Sequence, residues 1–403
     1  MPSRRRFLRT SALTAGVLGT APGWLLRAAA QGSSNRRILV VIFQRGAADG
    51  LNVVAPFFEP RYYQLRPSVN IARPSTTTPN GSIDLDGRFA LHASLQQLKP
   101  LWDSGQLAIV HATGSPDTSR SHFDAQEFME CGTPGVKRED GWLNRALPLS
   151  TSNGSPMRAV ALGTKMPRTL KGDRSALALN DVAQFRFGDP ATSGILERLY
   201  AQSEDPGLRK QGTGIFDAAR AMEALRQQPA TPAQPGNQYV GEFGRRLQQV
   251  ARLIKADVGV EVAFVDMDGW DHHANEAAQM SNMLREFGGS LAAFSRDLGD
   301  KLADTVIVTM SEFGRTAAEN GNGGTDHGHG SVMMVLGGPV KGGAMYGPWP
   351  GLEPEQLFEQ RDLAVTTDFR DVLGELVRVH LGQKTDLVFP GYTVGKGLGL
   401  IKT

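Results

Sequence analysis

The sequence predicts an α/β fold: a three-layer sandwich with a mostly parallel sheet between helical layers. Three observations lead there. Short β-branched apolar runs alternate with amphipathic helical stretches, which argues for a parallel sheet covered on both faces. Several of those runs end in glycine-rich polar turns. Acids, histidines and hydroxyls gather just after the predicted strands, where open α/β sheets form their sites.

Residues 38–43 form a continuous apolar run that ends in Arg45-Gly46-Ala47-Ala48-Asp49-Gly50, so a buried strand opens into a loop. Residues 107–111 are a second such run, followed by Gly114-Ser115-Pro116. Residues 121–131 read as a helix with Ser121 as N-cap and Asp124 three residues on. Residues 158–162 are a third strand. Helices are predicted near 193–203, 206–227 and 239–256, with a Pro/Gln/Gly break at 228–238. That helical stretch is either a cap over the sheet or its outer layer. Strands follow at 258–267, 305–310 and 331–337. A long helix spans most of 273–302, and a closing helix spans 368–381. No internal repeat is visible, and residues 31–403 read as a single domain.

Composition narrows the function classes. The chain has 403 residues, 40% hydrophobic and 21% charged, which is globular and excludes disordered, collagenous and coiled-coil classes. The single cysteine, Cys131, excludes an intramolecular disulfide, cysteine-based zinc sites and iron–sulfur clusters. Any metal must therefore be held by His, Asp, Glu or hydroxyls. No dinucleotide fingerprint or P-loop is present.

The first thirty residues read as an address. Ser3-Arg4-Arg5-Arg6-Phe7-Leu8-Arg9 is a twin-arginine motif, followed by an apolar stretch and Ala28-Ala29-Ala30 as a cleavage site. The expected partner is the twin-arginine export machinery, and the expected location is periplasmic or secreted, after export in the folded state. The apolar stretch, broken by Pro22 and glycines, is too short and weak for a stable span after cleavage. Removing its five arginines takes the net charge from +2 to −3. That balance argues against a nucleic-acid partner, which needs a basic surface.

Four clusters carry chemistry. Asp49 follows the first strand and is suited to a cation, although turn chemistry beside Gly50 also explains it. In Thr118-Ser119-Arg120-Ser121-His122, hydroxyls lie at a helix N-terminus, where an anion is favoured. Ser121 is the candidate nucleophile, or only a cap. The run Asp266-Met267-Asp268-Gly269-Trp270-Asp271-His272-His273 ends a buried strand, and Asp268 with His272 has chelating spacing. Ser311-Glu312-Phe313-Gly314-Arg315-Thr316 ends another strand and is followed by Thr325-Asp326-His327-Gly328-His329-Gly330. Asp49, Asp268, His272, Glu312, His327 and His329 together make an oxygen and nitrogen donor set. It suits zinc, manganese or iron and tolerates magnesium or calcium.

These motifs, with Arg45 to Asn52 and Ser119 to Gln126, resemble the bacterial domain-of-unknown-function family 1501 over nearly all of residues 31–403. That family is grouped with the alkaline phosphatase and sulfatase superfamily. The resemblance implies metals at the strand ends, held by an early Asp, a hydroxyl nucleophile, a spaced Asp/His pair, a late Asp-His pair and a final His. By order, Asp49 is similar to the early Asp, and Ser121, or Ser119, to the nucleophile. Asp268 and His272 are similar to the spaced pair, and His327 or His329 to the final His.

The late pair departs from that pattern. Here it reads Glu312-Phe313, and the phenyl ring cannot bind metal. One ion is then expected rather than two, unless His122, His273 or the spare loop histidine folds in. The implied activity is metal-dependent hydrolysis of a phosphate or sulfate ester, on an unknown small-molecule or envelope substrate. In it, Ser121 attacks and Arg120 or Arg315 steadies the oxyanion. The alternative is a non-catalytic, metal-containing binding or accessory protein of the envelope.

Overall fold

The computed structural model describes residues 37–402, except 76–80, 149–154, 156, 183–189 and most of 206–237. The N-terminal address and most of the helix expected at 206–227 lie outside the described residues.

Among the described residues, nine strands form one mixed sheet. They are β1 (Ile38–Gln44), β2 (Leu107–Gly114), β3 (Ala159–Leu162), β4 (Leu177–Leu179), β5 (Val262–Met267), β6 (Thr305–Ser311), β7 (Ser331–Gly337), β8 (Ala344–Tyr346) and β9 (Thr367–Asp368). Their spatial order is β8-β2-β7-β6-β1-β5-β3-β4, with β9 beside the end of β2. β1 runs parallel to β5 and β6, and β3 runs parallel to β5 and β4. β7 runs antiparallel to both β2 and β6. A small three-stranded sheet, from Val54–Ala55, Ile83–Asp84 and Ala90–Leu91, sits apart.

The helices that matter for the site and its support are α1 (His122–Cys131), α2 (Pro190–Ala201), α3 (Gly241–Lys255), α4 (Glu276–Leu298) and α5 (Phe369–Glu375). Successive residues of a strand face opposite sides, and β1 shows the consequence. Ile38, Val40 and Ile42 pack with α3 and α4 on one face, while Leu39, Val41 and Phe43 pack with α5 and the short helix Trp142–Ala146 on the other. With both faces covered, β1 is buried throughout, which explains its continuous apolar run. α3 buries Phe243, Leu247, Val250 and Ile254, one stripe at helical spacing, against the sheet and α4. It is thus part of the layer over the sheet. α2 leaves Ile195 and Leu199 exposed.

Three boundaries move for local reasons. The strand expected from Val258 begins at Val262, because Asp257 and Gly259 have positive φ (52° and 91°) and break the extended chain. The helix expected from His273 begins at Glu276, after Asn275 at φ 49°. Asp368 accepts a hydrogen bond from the Arg370 amide and caps α5, which then widens into a π-helical turn at Leu376–His380. Among the described residues, no helix is long and apolar enough to cross a membrane.

Candidate metal centre at the strand ends

β1, β5 and β6 are parallel, so their carboxyl ends share one edge. β2 runs in the same direction because β7 is antiparallel to both it and β6, and β7 therefore begins at that edge. Five segments converge there: the exits of β1, β2, β5 and β6 and the entry to β7.

The side chains at the centre are His122, Asp271 and His327. One donor atom from each lies within 4.8 Å of the other two. His122 Nε2 lies 3.1 Å from His327 Nε2. Asp271 places Oδ2 3.4 Å from His122 Nε2 and Oδ1 3.3 Å from His327 Nε2. His273 joins from the exposed side, its Nε2 2.9 Å from both His327 Nε2 and Asp271 Oδ1.

The far side of each ring is already engaged. His122 Nδ1 is 2.7 Å from Glu312 Oε1, His273 Nδ1 is 3.1 Å from Asp326 Oδ1, and His327 Nδ1 is 2.9 Å from the Arg120 carbonyl. A neutral imidazole has one N–H. Donating it from Nδ1 to these acceptors leaves an Nε2 lone pair on every ring, and those lone pairs face one another. A shared cation satisfies that arrangement. A ligating histidine whose other nitrogen donates to a carboxylate or carbonyl is the usual pattern of a protein metal site. Two imidazole nitrogens and one carboxylate, with a third imidazole beside them, suit a zinc-class ion better than magnesium or calcium, which prefer oxygen donors.

A second ring of residues holds these ligands. Glu312 accepts from the Gly46 amide, Gln126 Nε2 and the Ser311 hydroxyl. Burial pushes the Glu312 carboxyl up, but the His122, Gln126 and Gly46 hydrogen bonds bring it below its ordinary value. Arg315 is buried and donates to the carbonyls of Gly46, Ala47, Trp270 and Thr325, and to Asp271 Oδ1 at 2.6 Å. Burial raises the Asp271 carboxyl, yet the bond to and charge of Arg315, with His273 and His122, pull it down to about 2. The Glu312 hydrogen bond raises the His122 pKa against its burial, whereas burial lowers that of His327. Phe313 stacks on His122 with centroids 4.9 Å apart and lies 5.2 Å from His327. The ring that cannot bind metal thus braces two that can. The turn after β1 is strained, with buried Ala47 at φ 64° and Gly46 at φ 114°. Such strain persists where the surroundings over-determine it, and here the Glu312 and Arg315 bonds do so.

Comparison with known proteins places the chain. A family profile described as "Protein of unknown function (DUF1501)" matches residues 36–385. The chain belongs to the DUF1501 family. No curated protein matches it. Two solved structures are similar over 75% of this chain and 90% of theirs, each at 10% identity. They are a histidine-to-aspartate and a histidine-to-glutamate variant of TAB5 alkaline phosphatase, both with magnesium bound in the M3 site, at TM-scores of 0.30 and 0.27.

In this DUF1501 chain the predicted site residues have separate placements. His327 is a member of the central group that could hold a metal ion, and Glu312 is the acceptor behind His122. Asp49 is buried with both carboxylate oxygens on Arg66, at 2.5 and 3.0 Å, which takes up its charge. Asp268 is exposed and His272 is buried, and the compact group forms with Asp271 instead of this pair. His329 is buried, its ring stacked on Phe358 at 4.4 Å. Arg120 is committed to Glu359 and Asp362 at 2.6 and 2.7 Å, so it fixes its own segment. Arg315 acts through Asp271. Ser121 occupies the N-cap position of α1 without a side-chain cap bond. The spare histidines that fold in are His122 and His273. Asp271 lies in the same acidic run as Asp268, and only the tie to Arg315 distinguishes it.

Proposed function

We propose that this chain is an exported, metal-dependent hydrolase of phosphate or sulfate esters. One observation carries the reading: His122, Asp271 and His327 converge with their Nδ1 atoms or carboxylate already oriented by the protein. Such preorganisation is what a catalytic ion requires. A bound divalent ion, of the zinc class that these nitrogen donors favour, would polarise the ester oxygen and favour the ionised Ser121 hydroxyl.

The chain's own residues supply the rest. Ser121 adjoins His122 in sequence and has no cap bond to give up. It stands at the start of a ten-residue helix whose first amides favour a developing anion. Arg120 and Arg315 contribute by position, since Asp362 and Asp271 hold their guanidinium groups. The twin-arginine signal and alanine cleavage site support delivery of the folded protein to the periplasm or outside.

A second reading rests on His273. Its Nε2 lies 2.9 Å from both His327 Nε2 and Asp271 Oδ1, beside the three-residue group, and would supply a fourth donor; a closed four-donor site is the structural type. The chain would then be a non-catalytic envelope binding or accessory protein that uses the metal for stability.

One experiment separates the two. The mature protein is purified, its metal content measured, and turnover followed on a broad phosphate and sulfate ester panel beside Ser121→Ala. The hydrolase reading expects turnover in the wild type and a loss of at least a hundredfold in Ser121→Ala, at unchanged metal content. Stoichiometric metal with no turnover from either protein overturns it and leaves the structural reading.

A further inference from the structure

A strained hairpin and a cleft lie beside the candidate metal centre, and none of its donor residues lines the cleft. Phe358 and Asp362 exchange backbone hydrogen bonds of 2.8 and 3.0 Å, and between them Glu359 and Gln360 both have positive φ, 52° and 55°. Two successive left-handed residues are normally Asn-Gly in such turns. Here non-glycine side chains are held in that conformation, with Arg120 bonded to Glu359 and Asp362. Strain of this kind clusters at binding sites.

The hairpin forms one wall of a cleft of about 260 Å³, whose lining includes Leu65, Leu357, Glu319, Asp326, Gln360 and Arg361. Two of these residues also hold the metal centre. Asp326 Oδ1 accepts from His273 Nδ1 at 3.1 Å, and Arg361 Nη2 donates to the His327 carbonyl at 2.7 Å. A group seated in the cleft is therefore next to the ligands.

Gln360, Asp326 and Arg361 line the cleft and are solvent-exposed. They offer the cleft one acid, one cation and one amide. A phosphate there would meet the carboxylates of Asp326 and Glu319, and an ammonium would meet Arg361. Hydroxyl groups donate and accept, and match all three. Leu65 and Leu357 give an apolar surface for the C–H face of a ring. The volume is below the ~300–1,000 Å³ of sites for drug-sized ligands, and suits one ring.

We propose that this cleft binds a neutral, hydroxyl-rich ring, one monosaccharide unit. On the hydrolase reading, that unit is the part of the ester substrate that does not react.

The test is ligand-observed saturation-transfer NMR on the metal-loaded mature protein, with methyl α-D-glucopyranoside and N-acetylglucosamine as probes. Inorganic phosphate is the competitor. Gln360→Ala and Leu357→Ala are compared with wild type, with metal content measured on each. At least one sugar is expected to bind, at least fivefold more weakly in both variants at unchanged metal content, and not to be displaced by phosphate. No binding of either sugar, equal binding in Gln360→Ala, or displacement by phosphate overturns the proposal. Binding is read without turnover, so a protein that binds sugar and cleaves no ester sinks only the hydrolase reading. One that cleaves an aryl ester and binds no sugar sinks only this proposal.

Discussion

His122 and His327 face each other through their Nε2 atoms at 3.1 Å, while Glu312 and the Arg120 carbonyl hold the opposite nitrogens. The pair comes from the first residue of α1 and a loop about two hundred residues later, and its geometry makes sense around a shared cation.

The first consequence is stoichiometric. Protein purified without added metal or chelating resin should carry close to one ion per chain by mass spectrometry. His122→Ala and His327→Ala should lose it, whereas Asp268→Ala should keep it. Retention in both histidine variants, or loss in Asp268→Ala, would return the site to the spaced pair Asp268 and His272.

The Glu312 carboxylate never reaches the centre but aims His122 at it. Outer partners of this kind are worth about 10–100-fold in metal affinity. Glu312→Gln should weaken binding by that factor in a chelator competition, with little change in the thermal midpoint of the metal-free protein. An unchanged affinity would show that His122 needs no such support.

Gly46 lies where the β1 turn passes the Asp271 loop. A Cβ there would sit 2.7 Å from the Asp271 amide nitrogen and 3.0 Å from that of Trp270, at a φ of +114°. Gly46→Ala should cost roughly 1–3 kcal/mol in urea denaturation. It should also weaken metal binding, because the Asp271 loop must move. Wild-type values for both quantities would mean that the turn relaxes freely.

Away from the centre, Asp49 and Glu276 form a buried acid pair beside Arg66. Arg66 outweighs burial and keeps Asp49 low, while burial and the Asp49 charge push Glu276 up to about 9. Between the ordinary value of 4.5 and about 9, the folded chain holds a proton that the unfolded chain has released. This contribution to stability is complete below pH 4.5 and is lost as pH rises toward 9, by at most ~1.4 kcal/mol per pH unit. Glu276→Gln keeps a neutral side chain there, so its stability relative to wild type should rise between pH 6 and 9. Denaturation of the metal-free proteins at both pH values measures this. Parallel pH profiles would show that Glu276 is ionised in the fold.

Much of the architecture was legible because the sheet is covered on both faces. A strand such as Ile38–Gln44 must then be apolar at every position, and the acids and histidines are left to the loops at its end. The runs at 266–273 and 311–330 could be located for that reason. Which of their members share a centre was not legible. Adjacent polar residues in a loop point in different directions, and Asp271 is selected over Asp268 by Arg315, some forty residues later. Asp49 looked like a ligand because its partner, Arg66, sits on a separate short segment that nothing in the local pattern ties to it.

The sequence by itself determined the α/β class, the six longer strands of the main sheet and the edge where the polar residues gather, since hydrophobic period and turn residues act over a few neighbours. Only the tertiary structure decided which of these polar residues converge. His122, Asp271, His273 and His327 become one site through hydrogen bonds to Glu312, Arg315, Asp326 and the Arg120 carbonyl, and those partners are brought together by the sheet.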